Sequence, residues 1–287
     1  MSALPLTAAP ASFPVPPLAL PGGLTLPTGR TAIMGILNVT PDSFSDGGRY
    51  TDVAAALGHA RQMVAAGADL IDVGGESTRP NSTRISADEE WGRICRIVEA
   101  LATDGVIVSV DTLHASTARE AACAGAAIIN DVSGGRWDPE MNAAVAESGC
   151  AYVVQHYRAL PGMPGEHFDY GDDLVGTLME RVGSQVQDAI DAGVTPDKIV
   201  IDPGLGFSLT GDQCWQTLRE LPRFLQGGYP VLVGASRKRF VKALEGDVDA
   251  NSADIAAYCA AAGAWAVRVH DVAATAAAIA RKENDVD

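Results

Sequence analysis

The feature that most constrains this chain is an alternation between short β-branched apolar runs and longer Ala-rich amphipathic stretches. Such an alternation predicts βα units around a parallel sheet, because parallel strands are joined by helices and are themselves almost continuously apolar. The intervening stretch 51–68, for example, has apolar residues three and four apart and a Gly near its end, as a helix with a Gly C-cap does. Eight runs are predicted as strands, and they lie at 31–38, 69–74, 106–112, 127–131, 151–156, 198–203, 229–236 and 265–271.

Eight strands, each followed by a helix, are what a (β/α)8 barrel requires, whereas a doubly wound sheet usually has fewer. A length of 287 residues allows two ordinary domains or one barrel, and the strand count favours the barrel. We therefore predict an α/β protein with one TIM-barrel domain over 31–287. Residues 1–30 hold seven of the sixteen prolines and no acidic residue, so they are predicted to form a flexible Pro-rich arm.

Charge and composition exclude several classes of function. A formal charge of −15 repels phosphate backbones and anionic lipid, which argues against nucleic acid as a partner. No apolar run is long enough for a membrane span, and the first basic residue is Arg30, so we expect neither a membrane protein nor an exported one. The five cysteines include no CxxC pair and are predicted to be reduced thiols in a cytoplasmic protein.

Polar residues collect where the predicted strands end. A single Asp or Asn at such a place is equally well explained as a cap of the next helix. Seven strand ends at once favour a site, because barrels carry their active sites at the carboxyl-terminal ends of the strands. The residues are Asn38, Asp111, Asn130, Asp131, Gln155, His156, Asp202, Ser236, Arg237, Lys238, Arg268, His270 and Asp271.

This set has a chemical sense. Part of it offers acceptors for the N–H groups of a ring, and part offers cations for an anion; the acceptors are Asp111, Asn130 and Asp202, and the cations are Lys238, Arg268 and His270. The pattern predicts a pocket for an uncharged, donor-rich heterocycle beside a phosphate group.

Two long loops follow the first two strands. The loop at 38–48 combines polar residues such as Asp46 with one aromatic residue, Phe44, and the loop at 74–80 places Arg79 beside a proline. Each loop taken alone resembles an ordinary turn-rich surface segment. Because they leave neighbouring strands, we expect them to close together over one substrate.

Other motifs are absent or incomplete. GLGFSL at 204–209 begins like a dinucleotide fingerprint, but Leu209 stands where the third Gly belongs, and no Gly-rich turn continues into GKS or GKT. The sequence contains neither HExxH nor GxSxG. We therefore expect no dinucleotide fold, P-loop, structural zinc or serine triad.

Seven segments, taken in order, resemble the dihydropteroate synthase family over about residues 32–281. They are MGILNVTPDSFSDGG, DLIDVGGESTRP, SVDT, INDVSGG, IDPGLGF, GASRKRF and RVHDV. The resemblance implies a TIM barrel that condenses 7,8-dihydropterin-6-ylmethyl diphosphate with 4-aminobenzoate and releases diphosphate. It further implies use of Mg²⁺, inhibition by sulfonamides and a homodimer.

The family's functional residues carry over position by position. The resemblance implies pterin contacts at Asp111, Asn130, Asp202, Lys238 and Arg268. It implies diphosphate contacts at Asn38, Arg268 and His270, with Asn38 also at the metal. It implies aminobenzoate contacts at Phe44, Thr78, Arg79, Pro80, Ser236, Lys238 and Arg239. Catalytic roles are implied for Asp46, Asp111, Asp202 and Lys238.

The resemblance leaves some alternatives open. The stretch Gln155, His156 and Tyr157 stands where the family commonly has MHM, so the pocket wall beside the pterin is expected to differ. One alternative is a barrel that holds methyltetrahydrofolate for a corrinoid methyltransferase, which would not need the loops after strands one and two. Another is a non-catalytic pterin-binding paralogue, which degraded loop motifs would favour.

Overall fold

The computed structural model describes residues 5–6, 12–40, 49–78 and 82–284. Eight parallel strands form one sheet in the order β6-β5-β4-β3-β2-β1-β8-β7. Their bounds are β1 Ala32–Asn38, β2 Leu70–Gly74, β3 Ile107–Asp111, β4 Ile128–Asp131, β5 Ala151–Gln155, β6 Ile199–Asp202, β7 Leu232–Val233 and β8 Ala266–Val269. Each lies inside a run that the sequence predicts as a strand.

The sheet closes into a barrel. The chain's first and last strands pair with each other, and an isolated parallel bridge between Ile201 and Val231 joins β6 to the residues before β7. β7 is much shorter than the predicted run 229–236. Pro230 lies in this run and has no N–H to donate to a neighbouring strand. Its carbonyl accepts from Ile201 N at 2.9 Å. The predicted (β/α)8 barrel is confirmed.

Helices connect the strands on the outside of the barrel. Local capping explains several ends: Thr210 and Gln213 form a capping box at the start of α6, and Gly263 at φ 96° ends α9. The bounds are α1 Arg49–Ala65, α2 Ala87–Thr103, α3 Ala115–Cys123, α4 Met141–Ser148, α5 Leu174–Asp191, α6 Gly211–Arg219, α7 Leu221–Leu225, α8 Arg239–Lys242, α9 Val248–Ala262 and α10 Val272–Asn284. None of the helices that the structure describes is long and apolar enough to cross a bilayer.

The inside of the barrel changes character along the strands. Side chains on one face of a strand recur every two residues. Leu70 and Val200 belong to the apolar cluster that fills the amino-terminal half of the barrel. Two residues further along the same strands lie Asp72 and Asp202, both buried. The polar layer therefore rests directly on an apolar one.

Residues 12–30 lie across the amino-terminal end of the barrel. Ala19 N donates to Asp197 O at 2.8 Å, and Phe13 N donates to Ala262 O at 3.1 Å. Val15, Leu18, Leu20 and Leu26 pack against the apolar cluster inside the barrel. The Pro-rich composition predicts a flexible stretch that buries little surface, so this packing differs from the expectation. The domain boundary at residue 31 stays a prediction.

Candidate active site

A cavity of about 930 Å³ opens at the carboxyl-terminal ends of the strands. It brings together ten residues that the sequence singles out, namely Asn38, Thr78, Asp111, Asn130, Asp202, Ser236, Lys238, Arg239, Arg268 and His270. Four further candidates, Phe44, Asp46, Arg79 and Pro80, lie outside the described residues. Every described residue to which the resemblance assigns a role in the site lines this cavity, whereas three of the strand-end polar residues, Asp131, His156 and Asp271, do not.

A carboxylate that sequence reasoning missed lies under this cavity. Asp72 is fully buried in the middle of β2, where its carboxylate accepts from Arg268 Nε at 2.6 Å and Ser109 Oγ at 2.6 Å. Asn130 Nδ2 donates to it at 3.1 Å. Asp72 lies within a strand and not at its end, and the signal for it in the sequence is its position two residues after Leu70, on the face that points into the barrel.

Arg268 links Asp72 to a second carboxylate. Its Nη2 donates to Asp111 Oδ2 at 2.8 Å while its Nε remains on Asp72. Burial raises the pKa of Asp111 to about 7, with the Arg268 charge opposing and Asp72 reinforcing the shift. Burial disfavours the charged guanidinium, but Asp72 and Asp111 outweigh it and raise the pKa of Arg268. Arg268 is therefore a fixed cation in the pocket.

The buried Asp202 and the partly buried Lys238 interact as a second pair of opposite charges. Asp202 Oδ1 accepts from Gly204 N at 2.7 Å, and burial raises the pKa of this carboxyl although the Lys238 charge opposes the shift. Burial lowers the pKa of Lys238 to about 8. The Lys238 ammonium donates to Leu205 O and lies 4.9 Å from the centre of the Phe207 ring. These contacts aim the ammonium at the same side of the cavity as Asp202.

Ser236 orients His270 at the rim of the cavity. The Ser236 hydroxyl accepts from His270 N at 3.2 Å and lies within hydrogen-bond distance of His270 Nδ1, at 2.9 Å. Arg237, which lies between Ser236 and Lys238 in the chain, has φ 56°, lines the cavity and pairs with Asp249 at 2.6 Å. α8 begins at Arg239, but with four residues it provides only a small dipole.

Two other strand-end aspartates hold local backbone: Asp271 caps the next helix, as the simpler interpretation holds, and Asp131 shapes a turn. Asp131 accepts from Ser133 N and Gly135 N, both at 2.7 Å, and so shapes the turn after β4. Asp271 accepts from Ala274 N at 2.9 Å at the start of α10. Neither lines the cavity.

Gln155 and His156, at the end of β5, also differ in their roles. Gln155 lines the cavity and donates through Nε2 to Val132 O at 3.1 Å. His156 is buried against Tyr170, with ring centres 5.6 Å apart, and burial lowers the pKa of His156 to about 3. His156 is thus a neutral packing residue, and Gln155 alone of the pair forms the pocket wall.

The oxygen atoms near Asn38 suit a metal that is held mainly by substrate. Asn38 Oδ1 and Asp111 Oδ2 lie 3.9 and 3.8 Å from the place where a Cβ on Gly74 would be, and Asp111 Oδ2 also accepts from Arg268 Nη2. Among the described residues, no group of three or more His, Cys, Asp or Glu is placed to hold a metal. Mg²⁺ commonly binds to a few protein oxygens together with substrate phosphates and waters, and this donor set fits that pattern.

Comparisons with known proteins agree with this geometry. The model of the family described as "Pterin binding enzyme" matches residues 34–270. The dihydropteroate synthase of Mycobacterium leprae is 46% identical over 258 residues, which cover 86% of this chain and 90% of the relative. The solved dihydropteroate synthase of Yersinia pestis with a sulfonamide drug complex has a TM-score of 0.86 and 38% identity, covering 94% and 98% of the two chains. The enzyme of Xanthomonas albilineans with 4-aminobenzoic acid has a TM-score of 0.82 and 39% identity, covering 90% and 94%.

Two findings define the class of protein. The buried amide and carboxylates of the barrel face a cavity lined by cations, and the family model matches most of the chain. The chain belongs to the pterin-binding enzymes. Within that class its relatives over most of the chain place it in the dihydropteroate synthase family.

Proposed function

We propose that this protein condenses 7,8-dihydropterin-6-ylmethyl diphosphate with 4-aminobenzoate to give 7,8-dihydropteroate and diphosphate. One observation carries the proposal: the buried side chains of Asn130 and Asp202 line one cavity together with Arg268 and His270. The acceptors suit the N–H groups of a pterin ring, and the basic side chains suit its diphosphate. The family that the chain belongs to performs this reaction.

The chain's own residues support early breakage of the bond between the pterin methylene and the diphosphate oxygen. Arg268 and His270 balance charge on the departing diphosphate, while the Asp202 carboxylate faces the ring where positive charge develops. Asp111 adds a second carboxylate once it is ionised, and its pKa of about 7 ties this contribution to pH. The aniline nitrogen of 4-aminobenzoate is nucleophilic without prior loss of a proton, so no general base is required.

Asn38 is the described residue that would hold Mg²⁺, and the bound ion would neutralise the leaving diphosphate. Asp46 belongs with this group in the proposal. For 4-aminobenzoate, the proposal assigns Thr78, Ser236, Lys238 and Arg239 together with Phe44, Arg79 and Pro80. The Xanthomonas albilineans relative was solved with 4-aminobenzoic acid, which supports the assignment of a second substrate subsite.

Sulfonamides are expected to compete with 4-aminobenzoate, since the Yersinia pestis relative was solved with a sulfonamide drug complex. The proposal includes a cytoplasmic homodimer without membrane or nucleic-acid partners. Light scattering of the purified protein tests the dimer.

The test is an assay of labelled dihydropteroate and released diphosphate, with both substrates and Mg²⁺, in the presence and absence of a sulfonamide. Product that depends on Mg²⁺ and is suppressed by the drug is the expected result. Tight pterin binding with no diphosphate released would instead identify a non-catalytic pterin-binding paralogue.

A further inference from the structure

A charged cluster ties the end of β2 to the turn after β3. It consists of Glu76, Arg84 and His114, and we refer to it as the Glu76 cluster. We propose that the Glu76 cluster is a positioning device that holds Ser77 and Thr78 at the cavity rim and thereby sets the affinity for 4-aminobenzoate. This inference rests on the proposed function, because it names residues that position the second substrate of that reaction.

Glu76 lines the cavity, yet its carboxylate is engaged by protein donors. The side chain is 4% exposed. Oε1 accepts from Ile85 N at 3.0 Å and lies 3.2 Å from Arg84 Nε, and Oε2 lies 3.5 Å from His114 Nε2. These partners hold the pKa of Glu76 below its ordinary value even though burial opposes them. Glu76 is therefore an ionised structural anchor and does not serve as an acceptor for substrate.

Arg84 extends the anchor to the rim itself. Its Nη2 donates to the Ser77 carbonyl and, at 2.6 Å, to Ser82 Oγ. Ser82 Oγ donates in turn to Ser77 O at 2.5 Å. One side chain thus joins Glu76 and Ser77, at the end of β2, to Ser82 further along the chain. Thr78, the next residue after Ser77, lines the cavity.

Loss of Arg84 weakens this rim in two ways that act in the same direction. The Ser77 carbonyl loses a charge-assisted hydrogen bond, which loosens the backbone that carries Thr78. The buried Glu76 carboxylate loses one of its two basic partners, and the less compensated negative charge at the rim repels the carboxylate of 4-aminobenzoate. Both effects raise the KM for this substrate.

The pterin side of the cavity is anchored separately. Arg93 Nη1 donates to Gly75 O at 2.8 Å, and Glu90 and Ile94 pack so closely on Gly75 that a Cβ there would meet the Glu90 carbonyl at 2.9 Å. β2 is therefore held at its end without help from Arg84. Asp72, four residues before Glu76, keeps its own partners, so the pterin contacts should not respond to loss of the cluster.

The experiment compares Arg84→Gln with Arg84→Lys and with a matched control, Arg119→Gln. Arg119 also makes ion pairs at 3.1 and 3.4 Å, with Glu140 and Glu147, but on the outer helices away from the cavity. We expect Arg84→Gln to raise the KM for 4-aminobenzoate about tenfold while kcat and the KM for the pterin diphosphate change less than about twofold. Arg84→Lys keeps the charge beside Glu76 but not the fork to Ser77, so its KM should be intermediate.

Amide hydrogen exchange supplies a readout that does not depend on turnover. Peptides covering residues 76–86 should exchange faster in Arg84→Gln than in the wild type, and those of α2 beyond residue 90 should not change. Unchanged exchange together with an unchanged KM for 4-aminobenzoate would overturn the positioning role, as would an equal rise in both KM values. A wild-type protein that makes no product refutes the proposed function, whereas the exchange result still decides whether the cluster holds the rim.

Discussion

The two ends of the barrel are built from the same strands and carry opposite chemistry. At the amino-terminal end, Leu70 and Val200 fill the interior and Leu18 packs beneath them. The buried carboxylates Asp72 and Asp202 lie two residues further along β2 and β6, on the same face of each strand. The difference shows how one strand provides stability with one residue and reactivity with the next residue on the same face.

Contributions to the stability of the fold also differ between the two ends of the barrel. Burial of an aliphatic side chain stabilises the fold by roughly 1.5–3 kcal/mol. Burial raises the pKa of Asp111 and of Asp202, which means that folding disfavours their ionised forms. Apolar burial at the amino-terminal end therefore offsets the free-energy cost of ionised groups in the pocket. Substitutions in the pocket should change activity, and substitutions at the amino-terminal end should change stability.

Asp202→Asn is expected to have the largest effect on activity. It removes the charge that faces the reacting pterin while its Oδ1 can still accept from Gly204 N, so kcat should fall about 100-fold with little change in melting temperature. Steady-state kinetics and thermal denaturation measure the two quantities.

The matched control is Asp131→Asn, since Asp131 is equally buried but shapes a turn. One of its two backbone N–H partners would face an amide NH₂, so unfolding free energy should drop by about 1–2 kcal/mol while kcat stays within a few-fold. A near-normal kcat in Asp202→Asn would remove the electrostatic role assigned to this residue.

Asp72→Asn should produce the next largest effect. The substitution leaves Arg268 without the charged partner of its Nε, so the guanidinium is no longer aimed and kcat/KM for the pterin diphosphate should fall about tenfold. Ser109→Ala removes a different hydrogen bond to Asp72 and leaves the ion pair intact, so its loss should be clearly smaller. Equal losses in the two variants would show that Asp72 acts through packing alone.

The pH dependence of activity should reflect Asp111. With a pKa of about 7, this carboxyl is protonated in the free enzyme at lower pH, so kcat/KM for the pterin diphosphate should rise as pH increases from 6 to 8. Asp111→Asn should remove this rise.

The free energy of unfolding should change with pH in the opposite direction. The folded-state pKa of Asp111 lies above the ordinary value of 3.8, so between these two values the folded protein keeps a proton that the unfolded chain has released. This group therefore contributes stability that declines as pH rises toward 7, and Asp111→Asn should flatten that decline in denaturant titrations. A decline of the same size in the variant would assign the titration to another group.

Leu18→Ala tests the other end and should have the smallest effect. Leu18 is partly buried against the apolar cluster, so its truncation should lower unfolding free energy by about 1 kcal/mol and the melting temperature by about 3 °C. Turnover and both KM values should match the wild type. A fall in turnover would mean that the packing of residues 12–30 reaches the pocket.

Much of this architecture could be predicted from sequence because short, almost continuously apolar runs and strand-end polar residues are local signals. The eight strands and the convergence of Asn130 and Asp202 follow from them. Because local backbone caps and catalytic sites use the same residue types, the sequence alone does not distinguish Asp131 from Asn130. The turn after β4 in the folded structure makes the distinction. Asp72 was missed because it sits within a strand, and its partner Arg268 is far away along the chain.

The packing of residues 12–30 lay beyond sequence reasoning for another reason. Prolines mark where a hydrogen-bonded ladder cannot form, but they do not reveal whether a neighbouring surface can receive the chain. Only the folded barrel supplies the apolar opening into which Leu18 packs.

The most direct test of the account is a calorimetric titration with a dihydropterin that lacks the diphosphate, without 4-aminobenzoate. The account predicts one site in the wild type and in Leu18→Ala, with affinity reduced about tenfold in Asn130→Ala because a buried acceptor for the ring is lost. Binding that is equally strong in Asn130→Ala, or no binding by the wild type, would contradict the claim that the polar layer above the apolar one is the pterin pocket.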